Sequence, residues 1–121
     1  MEWNQITGQV ISAAMKIHSQ IGPGVLESVY RRCMQHELIR AGLAVRSEVA
    51  LPVHYDGLCL ESGYRVDLLV ENRVIVELKC VETILPIHKT QLLTYLRLAN
   101  MPLDCCSIST SCTCETGSIG Y

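Results

Sequence analysis

Ile6, Val10, Ala14, Ile17 and Ile21 recur at three- and four-residue intervals, an apolar stripe that predicts a helix from about residue 4 to residue 20. Gly22-Pro23-Gly24 breaks the pattern. Pro23 suits the first turn of a second helix, whose Leu26, Val29, Cys33 and Leu38 are expected to face inward until Gly42 supplies a C-terminal cap. From Leu43 the period becomes alternating: Val45, Val49, Leu51, Val53 and Tyr55 share one face, with Arg46, Glu48 and His54 on the other. Pro52 in this strand implies an edge position or a bulge. Asp56-Gly57 reads as a hairpin turn, because both residues tolerate positive φ, and Leu58 to Leu60 begins the return. Tyr64 to Val70 and Arg73 to Val81 read as two further strands joined by a tight turn at Glu71-Asn72, and Val74-Ile75-Val76 reads as buried on both faces. After Pro86, Leu92, Leu93 and Leu96 restore a helical period to about Ala99. The predicted order is helix, helix, strand meander, helix.

The 121 residues fit one domain of ordinary size. Hydrophobic residues at 49% against 18% charged argue for a packed globule rather than a disordered chain. No run approaches the ~18–20 apolar residues that span a bilayer, and Glu2 stands where a secretory signal would be positive, so neither membrane insertion nor export is expected. A formal charge of −2 excludes a protein that holds nucleic acid by a large basic surface, though a short basic strip such as Arg31-Arg32 with Arg40 remains compatible. Seven cysteines, an odd number without an export signal, point to a reducing, cytoplasmic setting.

The candidate chemistry sits on the apolar strand. Glu77 and Lys79 are two apart and leave the same face, and Asp67 on the preceding strand can lie beside them. Two carboxylates and a lysine at the ends of adjacent strands suit a hard divalent cation that takes oxygen ligands and keeps positions for water and phosphate. Such an ion offsets phosphoryl charge, and the Lys79 ammonium can orient a nucleophile. A surface ion-pair ladder is the plain alternative, but an apolar strand that ends in charge commonly ends at a site. Glu27 with Tyr30, and Gln91 with Tyr95, each share a helix face and are placed to approach that strand end. His88 reads as a solvated helix-start residue, and His18, His36 and His54 show no ligand spacing.

Gly24, Glu27 and Tyr30 match the motif that names the GxxExxY proteins, and residues from about 4 to Pro102 resemble that group of the PD-(D/E)XK nuclease superfamily. The superfamily signature, an acid on one strand and acid-x-Lys on the next, corresponds to Asp67 and Glu77-Leu78-Lys79, and Gln91 to Tyr95 resembles the Gln-x-x-x-Tyr helix of the RecB-like branch. The resemblance implies a restriction-endonuclease-like α-β-β-β-α core with a central mixed sheet, closed by a further strand. It implies Mg²⁺ or Mn²⁺ held by Asp67, Glu77 and the backbone carbonyl of Leu78, with Glu27 as an additional acid. Lys79 would act on the attacking water or scissile phosphate, and Tyr30, Gln91 and Tyr95 would contact substrate or brace the site. The implied partner is nucleic acid, DNA ahead of RNA. Fold inheritance does not establish cleavage, so a non-catalytic binding module of the same fold stays open.

The last 18 residues, Asp104 to Tyr121, carry four Cys, four Ser and three Thr, no Lys or Arg, and no regular period. Cys105-Cys106 and Cys112-x-Cys114 depart from zinc-ligand spacing. Relatives in the resembled family continue there with an apolar strand of the type Gly-Leu-Leu-Ile-Asn-Phe. Codons for Leu-Asp-Cys-Cys-Ser-Ile-Ser-Thr can be chosen so that a neighbouring frame spells Gly-Leu-Leu-Leu-Asn-Phe-Asn. The expectation is therefore a nuclease-like domain over residues 1–102 and a frameshifted, poorly ordered tail over 103–121. The final strand would then be missing or non-native and the sheet edge unpaired, and a damaged, inactive copy stays open as a third reading.

Overall fold

The computed structural model describes residues 2–22, 25–79, 86–99, 104–109 and 114–118, the last two segments by their backbone. The first helix, α1 (Trp3–Ile21), opens with the Glu2 N–H donating to the Gln5 side chain at 2.9 Å. It ends at Gly22, whose φ of 72° lets its N–H turn back to the His18 carbonyl at 2.8 Å. The second helix, α2 (Glu27–Arg40), starts at Glu27 rather than near Pro23, with Leu26 as its extended N-cap. Its inward stripe is Tyr30, Met34 and Leu38, four residues apart and at most 2% exposed. Leu26 and Val29, expected to face the core, are 72% and 44% exposed. Leu26 precedes the first helical residue, and the core-facing side of α2 is the four-residue stripe with Cys33 packed beside it.

Strands β1 (Val45–Tyr55), β2 (Leu58–Val70) and β3 (Val74–Lys79) form an antiparallel meander. Positive φ at Asp56 and Gly57, and again at Glu71 and Asn72, builds the two tight turns. The register shifts between Leu51 and Val53, where Pro52 lies on the edge strand β1. Helix α3 (Pro86–Ala99) carries the chain over to β4 (Asp104–Ser109), which pairs parallel with β3, and β5 (Cys114–Ser118) returns antiparallel. The mixed sheet runs β1-β2-β3-β4-β5.

Two apolar clusters flank the sheet. Leu68, Val70, Val74, Val76 and Leu78 face α1 and α2, while Leu51, Val66, Leu69 and Ile75 form the other face, against which Leu93 of α3 packs. This is a three-layer α/β domain of the restriction-endonuclease-like kind, with Val74, Ile75 and Val76 fully buried as the pattern predicts. Of the final strand expected to be missing or non-native, the first alternative needs correcting, since residues 104–109 occupy that place in the sheet. Ladder pairing uses backbone groups, so the open side of β3 accepts an extended segment whether or not its side chains carry a strand period.

Candidate active site at the β2–β3 gap

The ladder between β2 and β3 runs from Val70↔Val74 to Leu68↔Val76 and stops. The next rung would join Asp67 to Glu77. On the other side of β2, pairing also skips one position: Ser47↔Leu68 and Val49↔Val66 are paired, and Glu48 stands between them opposite Asp67. Glu48 has φ of 52°, left-handed for a non-glycine residue. Val66 and Leu68, two apart, fall in opposite clusters, so the alternation of β2 breaks at Asp67.

Two carboxylates replace the missing rung. Asp67 Oδ2 accepts the Leu78 N–H at 2.8 Å, and Glu77 Oε1 accepts the Asp67 N–H at 3.3 Å. Each acid thus caps backbone from the opposite strand. Within a strand, one residue's N–H and C=O point to the same neighbour, so the Leu78 carbonyl also turns toward the gap. Lys79 Nζ lies 3.8 Å from Glu77 Oε2, with the lysine side chain 28% exposed.

Glu77 is 5% exposed. Burial is the main cause raising its carboxyl to about 7, and the Asp67 charge adds to it. Lys79, the Asp67 N–H and a hydrogen bond with Tyr64 pull the other way. Glu27 comes from the first turn of α2 and is mostly solvent-facing, yet its carboxyl is also raised, first by partial burial and then by Asp67, with which it shares a hydrogen bond. Lys79 and Arg31 oppose that shift.

The structure therefore brings Glu27, Asp67, Glu77 and Lys79 together. It does not close the acids into a cluster: among the described residues, no group of three or more His, Cys, Asp or Glu side chains has metal-holding geometry. The donor set nevertheless fits a hard cation, since two oxygen-bearing acids and a carbonyl share one gap and the Asp67 charge raises the cost of ionising Glu77 and Glu27.

Tyr30 is 2% exposed in the core, which removes its ring from any surface a substrate could touch and makes it the packing anchor of the helix bearing Glu27. Gln91 is exposed on α3, with no described contact to the acids. The side chains of Tyr95 and His88, and Gly24, lie outside the described residues. Two residues not expected at the acids also act there. Tyr64 bonds Glu77 and has no distinguishing spacing. Arg31 follows Glu27 by one helical turn, a spacing that could have revealed it, and it pairs with Glu48 at 3.6 Å, tying α2 to the irregular point of β1.

A family model for the PD-(D/E)XK nuclease superfamily matches residues 4–106, most of the chain and all of this site. The chain belongs to the PD-(D/E)XK nuclease superfamily. The matched span includes Glu27, Asp67, Glu77 and Lys79. No curated protein and no solved structure matches the chain. The match ends within β4, at the segment where the composition changes.

Proposed function

We propose that this superfamily member is a metal-dependent nuclease hydrolysing phosphodiester bonds, with DNA as the first substrate to test and RNA the second. One observation carries the reading: Asp67 and Glu77 cross the β2–β3 gap with Lys79 beside them, at the end of the most buried strand. Asp67, Glu77 and the Leu78 carbonyl would hold Mg²⁺ or Mn²⁺, with Glu27 as a further acid. When bound, the ion would supply charge neutralisation at the phosphoryl group and a more acidic water.

The chain's own groups do the rest. Lys79, partly exposed beside Glu77, orients the attacking water or pairs with a phosphate oxygen. Burial at the gap keeps bulk water from Glu77 and strengthens its interaction with whatever cation replaces its proton. Glu27, hydrogen-bonded with Asp67, is placed to hold or pass a proton at the rim.

Within the superfamily, the GxxExxY group is the finer placement; the position of Glu27 beside Asp67, with Tyr30 anchoring its helix, supports it. A cytoplasmic setting belongs to the same reading. Among the described residues, no helix is long and apolar enough to cross a membrane.

The test is cleavage of labelled DNA and RNA with Mg²⁺ or Mn²⁺. Activity is expected to vanish in Glu77→Ala and Lys79→Ala, and activity persisting in both rejects the assignment. The want of a three-acid cluster among the described residues favours a second reading, a non-catalytic nucleic-acid-binding module. Salt-dependent binding without turnover would mark it.

A further inference from the structure

The side of α2 away from the acids carries a second feature that the proposed chemistry does not use. Arg32, His36 and Arg40 are spaced four residues apart, forming one stripe with steps of about 6 Å along the helix. Five positions separate Arg32 from Glu27, which puts the stripe about 140° around the helix from the catalytic face. It borders a groove of about 450 Å³ between α1 and α2, floored by Ile17 and Cys33. Lys16 of α1 spans the groove to Glu37 of α2 at 3.0 Å, and a smaller recess of about 90 Å³ continues beyond that bridge. Arg40 contacts Glu37 only at 4.0 Å and is 64% exposed, and Arg32 has no ion pair among the described residues.

Charge bookkeeping across the groove leaves an excess of cations: Lys16, Arg32 and Arg40 against Glu37, with His36 as a further donor. This local excess sits on a chain whose formal charge is −2. No Phe, Tyr or Trp is among the described residues that line it, which favours contacts to the backbone over stacking on bases. Guanidinium forks suit phosphate oxygens, and steps of about 6 Å resemble the separation of successive phosphates along one strand.

We infer that the α1–α2 groove is a nucleic-acid backbone site, holding phosphates of a strand segment other than the one presented to Asp67 and Glu77. The inference rests on the nuclease-fold reading for its ligand class and extends it to a second surface. Arg32 and Arg40 contact phosphates, His36 donates between them, and Glu37 opposes the ligand. Contacts of this kind position the polymer without reading its sequence.

The experiment is fluorescence anisotropy of a short labelled DNA duplex with the full chain in chelator, which prevents cleavage, titrated over a range of salt. Arg32→Ala with Arg40→Ala is expected to weaken binding about tenfold and to lower the slope of log affinity against log salt by about 1.8, near 0.9 per lost phosphate contact. Glu37→Gln is expected to do the reverse and tighten binding, an opposite sign that loss of packing would not give. Circular dichroism checks folding, and Glu37→Gln alone carries the sign if the double variant fails to fold. Unchanged affinity and slope in a folded double variant overturns the inference while leaving the catalytic reading standing. Displacement of the duplex by polyglutamate at equal charge also overturns it, because the groove would then suit an acidic protein segment. A parent chain that binds no duplex defeats the nucleic-acid reading and this site together.

Discussion

Replacing Glu77 with Gln should make the protein more stable in alkaline buffer while abolishing its proposed activity. In the folded state the Glu77 carboxyl titrates at about 7, against 4.5 ordinarily. Between those values the folded chain binds more protons than the unfolded chain, so stability falls as pH rises through that window and is flat beyond it. The rise of the carboxyl from 4.5 to about 7 corresponds to about 3 kcal/mol at most. Gln retains a carbonyl oxygen for the Asp67 N–H and carries no charge to bury. Thermal melts in chelator should therefore coincide for the two chains at and below about pH 4.5, separate as the pH rises towards 7, and differ by a constant amount beyond it. With about 4 °C per kcal/mol for a domain of this size, the variant should melt up to ~10 °C higher in the alkaline range. Adding Mg²⁺ at about pH 8 should raise the melting temperature of the parent and not of the variant, since binding to the folded state alone stabilises it by mass action. Melting curves that shift in parallel at every pH would refute the argument that Glu77 is buried against its preference.

Lys79→Ala should abolish cleavage with a stability change within about 1 kcal/mol, because its ion pair with Glu77 is long and partly solvated; a large loss in urea denaturation would reassign the lysine to structure. Met34→Ala, in the fully buried stripe of α2, should cost about 2–5 kcal/mol in the same assay, and a cost under 1 kcal/mol would mean α2 does not pack as described. Asp67→Ala should destabilise by about 1–3 kcal/mol by stripping the Leu78 N–H of its acceptor, whereas Asp67→Asn should cost less; equal losses would deny Asp67 that role. Sequencing the gene beyond the codon for Pro102 should reveal the apolar strand in a neighbouring frame, and its absence from both alternative frames sinks the frameshift.

The layers and strand order were legible because they follow from burial. Val74-Ile75-Val76 can only be a strand covered on both faces, and Asp56-Gly57 and Glu71-Asn72 mark turns by residue type and position. The signature acids were legible through spacing alone. The inward face of α2 was only partly legible: Leu38 and Cys33 were expected and pack on the core, while Leu26 precedes the helix and Val29 faces outward, leaving Tyr30 and Met34 to fill the stripe. Glu48 gives no sign that it will adopt positive φ; what places it there is the loss of two ladder rungs around Asp67, a tertiary event. β4 was illegible for a different reason: its pairing with β3 is a backbone property, and sequence patterning reports side chains.

The gap between β2 and β3 explains why one pair of acids can serve both fold and chemistry. Two buried N–H groups, of Leu78 and Asp67, would lack ladder partners where the rung is lost, and each takes one oxygen of a carboxylate from across the gap. A carboxylate has two oxygens, so each acid can make further contacts besides the rung it replaces: Oε2 of Glu77 faces Lys79, and Asp67 also shares a hydrogen bond with Glu27. Burial first, and the Asp67 charge second, raise the Glu77 carboxyl, and a proton or a cation relieves that cost. Amide substitutions separate the two duties. Gln at 77 or Asn at 67 keeps the oxygen that closes the sheet and removes the charge that would attract an ion, so both variants should remain folded and lose metal-dependent stabilisation. An amide variant that unfolds would show instead that charge, rather than hydrogen-bond acceptance, holds the strands together at this point.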